Sequence, residues 1–211
     1  MSVLSEVRAI TRDVHQSLDD HPLLVRFMSQ GHIEAYQNFL QTFSLFERVA
    51  SAKAAKYIDA EDLKVLDYDS WGISLQSDLE RLPEGDDFSF AERYTHLLPD
   101  IKTRSEFWGL LYVLEGSTLG GTQVAATLPK DWPSEFLRRG TQAKLRWPYF
   151  CRRLGELSNA GDLLNEDVAD GAVKAFNAMI RIFDACLKVS SGDKPRRATL
   201  PGNSEAASDM D

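Results

Sequence analysis

The stretch FWGLLYVLEGSTLGGTQVAATL, residues 107–128, decides how this chain is read. Its first half is a strongly apolar helix. Gly116, Gly120 and Gly121 then stand where helix formers are expected. Gly109, Gly116 and Gly120 follow one another at +7 and +4, so they share a helical face. Each glycine inside a helix costs about 1 kcal/mol relative to alanine, so some contact has to compensate. Two contacts qualify: a second helix packed close against the small residues, or a flat ligand laid against the backbone, with the helix bent at the glycine pair. Ser117, Thr118 and Thr122 add hydroxyls where such a bend would release carbonyls. This segment alone leaves both open.

Outward from it, helical periodicity dominates. Helices are expected at 3–20, 32–57, 60–82, 89–98, 104–127, 148–157 and 165–189, with Pro22, Pro83, Pro99, Pro129, Pro133 and Pro148 at the breaks. No Asn-Gly or Asp-Gly turn separates alternating apolar runs, so the fold class is all-α. The 211 residues suit one domain, 1–189, followed by a tail, 190–211. After Val189 the only large apolar residues are Leu200 and Met210, too few to offset chain entropy, and the tail is expected to be disordered.

The 24 Lys and Arg against 32 Asp and Glu leave a net charge of −8, which disfavours nucleic-acid binding. Only local basic clusters, such as Arg138-Arg139 or Arg152-Arg153, bear on that question. Cys151 and Cys186 form neither a disulfide framework nor a metal spacing, which predicts a reducing, cytoplasmic setting. No apolar run approaches the ~18 residues of a membrane span, and the N-terminus reads as helix, not as a leader.

On the N-terminal helix, Leu4, Val7, Ile10, Val14 and Leu18 form the expected apolar stripe. A second row, Arg8, Arg12, His15 and Asp19, lies about 100° away and flanks the core. It reads either as a solvated charged face or as a ligand set. In the second reading His15 offers Nε2 to a metal, Asp19 fixes its Nδ1, and the two arginines face carboxylates of a cofactor.

The segments TRDVHQSLD, 11–19, and LYVLEGSTLGGTQ, 111–123, taken together resemble the haem oxygenases, most closely the bacterial branch found beside bacteriophytochromes. The likeness extends in length and helix order over most of residues 1–189. It implies a single-domain helical bundle with haem between a proximal N-terminal helix and a kinked, glycine-rich distal helix. It further implies that His15 is the axial iron ligand, that Asp19 hydrogen-bonds it, and that Arg8 and Arg12 face the propionates. Gly116 and Gly120, with Gly121 beside them, would let the distal backbone lie flat over the macrocycle. Ser117 departs from the mammalian enzymes, which carry a catalytic aspartate there, so ordered water and backbone groups are expected to deliver the proton. The implied reaction opens haem to biliverdin with release of CO and Fe²⁺. It consumes O₂ and electrons from an external ferredoxin, flavodoxin or reductase, and the product would pass to an acceptor such as a bacteriophytochrome. Rival readings are a haem-binding or haem-transfer protein without turnover, and a non-haem protein of the same architecture, such as a cysteine hydrolase or a helical scaffold.

The remaining candidates are weaker. His21 and His32 are expected to be exposed turn residues. Glu92 and His96 make E-x-x-x-H, not the spacing of a di-iron bundle. Tyr112 and Phe176 fit either the core or a pocket wall, and Lys174 is a further candidate for a propionate. Both cysteines are expected to be inert.

Overall fold

The computed structural model describes residues 2–190 apart from Asp67 and residues 84–86, so the tail expected to be disordered lies, beyond Ser190, outside the described residues. Among the described residues every regular element is helical: α1 (Val3–Asp19), α2 (Pro22–Gln30), α3 (Ile33–Tyr57), α4 (Ala60–Val65), α5 (Asp69–Glu80), α6 (Asp87–Tyr94) with a 3₁₀ turn at Thr95–Leu97, α7 (Arg104–Thr127), α8 (Glu135–Arg138), α9 (Gly140–Ala160) and α10 (Asn165–Ser190).

The centre is α7. Every residue from Ser105 to Glu115 is buried, so this half of the helix has no solvent face and is clad on all sides. Its main partner is α10, with α9, α8 and α3 around it and α1 packed against α10 and α9. Gly109 and Gly171 explain how α7 and α10 come so close. A Cβ on Gly109 would lie 2.1 Å from the Val168 carbonyl oxygen and 2.6 Å from the Ala172 nitrogen; one on Gly171 would lie 2.1 Å from the Glu106 carbonyl oxygen. Backbone meets backbone here, and the helix-propensity cost of both glycines is offset by this contact.

Glu106 fixes the start of the same seam. It closes a capping box with Thr103 and accepts from the Lys102 nitrogen at 2.6 Å. It also takes Lys174 Nζ from α10 at 2.5 Å. Burial pushes the Glu106 carboxyl up, but the Lys174 and backbone N–H bonds outweigh it and hold the carboxyl below its ordinary range.

Several expected boundaries are corrected. Pro22 does not merely end α1: it opens α2, where a missing N–H costs nothing, with His21 as the cap. The single helix expected at 60–82 is two, broken between Val65 and Asp69, and that expected at 89–98 ends as the 3₁₀ turn. The short α8 follows Pro133. Pro148 lies inside α9, eight residues past its start, and does not begin a helix. On α1 the stripe shifts: Ile10 is 52% exposed, while Thr11 is buried with its hydroxyl donated to the Val7 carbonyl.

Gly109→Ala is expected to lower stability by about 3 kcal/mol, because the backbone of α10 has nowhere to move. Gly120→Ala, with no neighbour within 4 Å of its added Cβ, should raise stability by up to about 1 kcal/mol. Urea unfolding of the two variants separates these outcomes. A Glu106→Gln variant should be less stable than the parent at neutral pH. Since the folded carboxyl is held below its unfolded value, that difference should shrink as pH falls through the folded carboxyl's range.

Candidate functional site

A cavity of about 530 Å³ opens between α1 and the glycine half of α7, within the size range of small-ligand sites. His15, Asp19, Leu18 and Arg8 form one wall; Gly116, Ser117, Gly120 and Gly121 form another. Aromatic and aliphatic side chains close the rest, among them Phe43, Phe136, Trp147, Phe176 and Phe183. Two segments about a hundred residues apart in sequence thus meet across one space.

On α1, His15 Nδ1 stands 3.0 Å from Asp19 Oδ2, one turn along. The carboxylate accepts, so Nδ1 carries a hydrogen, and in the neutral imidazole Nε2 keeps its lone pair for a ligand. The ring meets Phe176 of α10 edge-on, with centroids 5.2 Å apart, and its side chain is still 53% exposed. Asp19 is the last residue of α1 and no basic residue occupies that last turn. Arg8 lines the cavity; Arg12 is exposed and outside its lining.

The glycines of α7 divide by role. Gly109 serves helix packing, as does Gly121, whose Cβ would fall 2.6 Å from the Leu137 carbonyl oxygen of α8. Gly120 faces open space, and at Gly116 a Cβ would meet only the Trp147 ring, at 3.7 Å. Of the two contacts open at the sequence level, helix packing occurs at Gly109 and Gly121, while Gly116 and Gly120 border the cavity. Ser117 lines the cavity with its hydroxyl donated to the Leu114 carbonyl at 2.7 Å, so it faces inward as an acceptor.

Behind this wall is a buried charge cluster that periodicity did not identify. Glu115 is fully buried and receives Arg146 side-on, Nη2 to Oε1 at 2.7 Å and Nε to Oε2 at 3.3 Å, together with the Tyr68 hydroxyl at 3.0 Å. Asp78, also buried, accepts from the Glu135 and Phe136 nitrogens, both at 2.9 Å, and caps α8. Arg139 lies over the Phe136 ring, 3.3 Å from its centroid, and 4.3 Å from the Trp71 ring, and it lines the cavity. Burial pushes its pKa down, with Glu115 and Asp78 opposing and Arg146 adding, yet a guanidinium starts so high that it keeps its charge. One signal for this cluster was present: Glu115 is the lone charge ending an apolar run. Nothing local marks Arg139 as interior.

Other expectations are corrected. His21 is buried, not exposed: its Nδ1 accepts from the Leu23 nitrogen and its Nε2 lies 3.3 Å from Asp184 Oδ1. Lys174 is held by Glu106 and Asp170, away from the cavity. His32 and His96 are exposed. Neither basic pair is an open patch: Arg139 is turned inward, while Arg153 is tied to Asp62, Asp59 and Glu156 and Arg152 to Glu156. Tyr112 and Phe176 do line the cavity. Neither cysteine does. Burial pushes the Cys151 thiol up despite Arg8 nearby, and pushes Cys186 up to about 12.

Among the described residues no three His, Cys, Asp or Glu side chains gather as a metal cluster, and no helix is long and apolar enough to cross a membrane. No protein-family model matches the chain, and comparison with curated proteins finds no match either.

With its pKa near 12, Cys186 should hold about a thousandfold less thiolate at pH 8 than a free cysteine. Iodoacetamide under native conditions should leave Cys186 unmodified by mass spectrometry, and urea should expose it. Rapid native alkylation would revive the cysteine-hydrolase reading.

Proposed function

We propose that the cavity holds haem and that the chain is a haem-degrading monooxygenase, opening the ring to biliverdin with release of CO and Fe²⁺. One observation carries this reading: an imidazole oriented by Asp19 and the open backbone of Gly116 and Gly120 wall the same space. The residues fit the group. In its neutral form His15 offers the Nε2 lone pair, the opposing wall admits a flat body at Gly120, and the remaining lining is mostly apolar. Haem, when bound, supplies the redox and oxygen chemistry.

The chain's own residues orient it and control water and protons. His15 would hold the iron through Nε2, and Asp19 would strengthen that bond by keeping the proton on Nδ1. Phe176 fixes the ring edge-on. Gly116 and Gly120 let the ligand approach the α7 backbone, while Phe43, Phe136, Trp147 and Phe183 exclude bulk water. Ser117, with its own hydrogen committed to Leu114, accepts from a cavity water and so holds that water beside the backbone. Arg8 offers a cation on the α1 wall. Electrons would come from a separate ferredoxin, flavodoxin or reductase in the cytoplasm, and biliverdin would pass to an acceptor such as a bacteriophytochrome.

A second reading, haem binding without turnover, is favoured by the same Ser117 bond: the hydroxyl has no proton left to give the cavity. Hemin titration followed by a reductant under air separates the two. The monooxygenase should develop a saturable Soret band that bleaches to a biliverdin absorption. A band that persists under a competent donor would establish binding alone, and no saturable band would overturn both. His15→Ala should abolish the axial-ligand spectrum and most turnover. Asp19→Ala should lose about 10- to 100-fold in affinity or activity.

A further inference from the structure

A second cavity, of about 390 Å³, opens on the side of α10 turned away from the first. Phe176, Met179 and Phe183 line the first cavity; Lys174, Asn177 and Arg181 line the second, roughly 160° away around the helix at 100° per residue. The opposite wall is the connection from the 3₁₀ turn to α7, through Leu98, Pro99, Asp100 and Lys102. That connection is fastened along its length. Arg181 Nη2 donates to the Leu97 carbonyl at 3.2 Å, Lys53 Nζ to the Ile101 carbonyl at 3.0 Å and the Tyr57 hydroxyl to the Lys102 carbonyl at 2.8 Å. Glu106 takes the Lys102 nitrogen. Anchored backbone, with α10 behind it, shapes the space.

Among the described residues three cations and one acid line this cavity, in a chain whose net charge is −8. The acid, Asp100, is 76% exposed, and its pair with Lys102 Nζ at 3.1 Å lies in water, where such pairs contribute little. Arg181 is exposed, and among the described residues its guanidinium meets the Leu97 carbonyl and no carboxylate. Lys174 is shared by Glu106 and Asp170, so it adds little net charge but keeps one N–H of its ammonium to spare. Asn177, also exposed, stands between Lys174 and Arg181 at +3 and +4, which sets the three donors in one row.

We infer that this cavity is a phosphate-binding site, taking the terminal phosphate of a small monoester whose organic part lies against Leu98 and Pro99. Such a phosphate presents three acceptor oxygens and about two negative charges at neutral pH. It therefore matches donors that arrive from both walls, Arg181 and Asn177 from α10 and Lys102 from the connection. A carboxylate, with two oxygens and one charge, leaves one wall unanswered. These donors are open to solvent, so the anion enters without rearrangement, and its hold weakens as salt rises. The site shares no lining residue with the first cavity and is independent of the haem reading.

Calorimetry on the full chain with phenyl phosphate, benzoate and uncharged benzyl alcohol tests the assignment. Phenyl phosphate should bind roughly tenfold or more tightly than either of the others. Arg181→Met should weaken it by a similar factor. Because that variant also loses the bond to Leu97, a second one is needed: Lys102→Met, at a side chain 72% exposed, should weaken phenyl phosphate several-fold with an unchanged melting temperature. Asp100→Asn, which removes the acid of the lining, should tighten binding, an outcome that damage to the fold does not mimic. Arg8→Met, in the first cavity, should leave phenyl phosphate unaffected. Benzoate or benzyl alcohol bound as tightly as phenyl phosphate would overturn the assignment. So would indifference to Lys102→Met and Asp100→Asn, or loss of binding in Arg8→Met, which would place the anion in the first cavity.

Discussion

The reciprocal contact of Gly109 and Gly171 sets the distance between α7 and α10, and the other elements are placed relative to that pair. With both Cα positions pressed onto the opposing backbone, the two helices have no slack at this point. Farther along α7 are Gly116, Ser117 and Gly120; farther along α10 are Phe176, Met179 and Phe183. α1 packs on α10 and so inherits its position, which is how His15 comes to face a wall it does not otherwise touch in sequence. Glu106 and Lys174 reinforce the seam from its outer end.

Behind the cavity, charge is organised with unequal satisfaction. Glu115 and Arg146 form a closed, bidentate pair of the kind whose disruption costs several kcal/mol because it strands a buried charge. Asp78 is closed in the same sense by two backbone donors. Arg139 alone among these is left half-bonded, at the one position where the cluster borders the cavity. The network is complete at Glu115 and Asp78 and incomplete at Arg139, whose free edge is sealed from solvent.

How much of this was legible in the sequence depends on whether the cause was local. The long helices α1, α3, α7 and α10 were readable because apolar periodicity and capping residues act within a few turns. α2 was missed because Pro22 reads equally as a stop and as a first helical residue, and only the His21 cap distinguishes them. The break between α4 and α5 leaves no proline or glycine at Leu66 and Tyr68 to mark it, and Pro148 is carried inside α9 by packing that no local rule sees. At the site, the row on α1 and the glycines of α7 were visible as patterns. The split of those glycines into packing and open positions was not, because it depends on α8 and α10 arriving from elsewhere in the chain. The same holds for Arg139, identical in type to its exposed neighbour Arg138 and opposite in environment.

The end of α1 has an electrostatic character of its own. A helix terminus that exposes carbonyls is already negative, and here it is followed by no compensating base: Asp19 closes the helix and Asp20 caps it. For the apo protein that arrangement is mildly unfavourable. A cation held at His15 Nε2, as proposed, would meet a favourable field there, with a gain that scales with its charge. Under the proposed haem reading, that field would favour the more highly charged state of a bound iron, and added salt would weaken it by screening the exposed carboxylates.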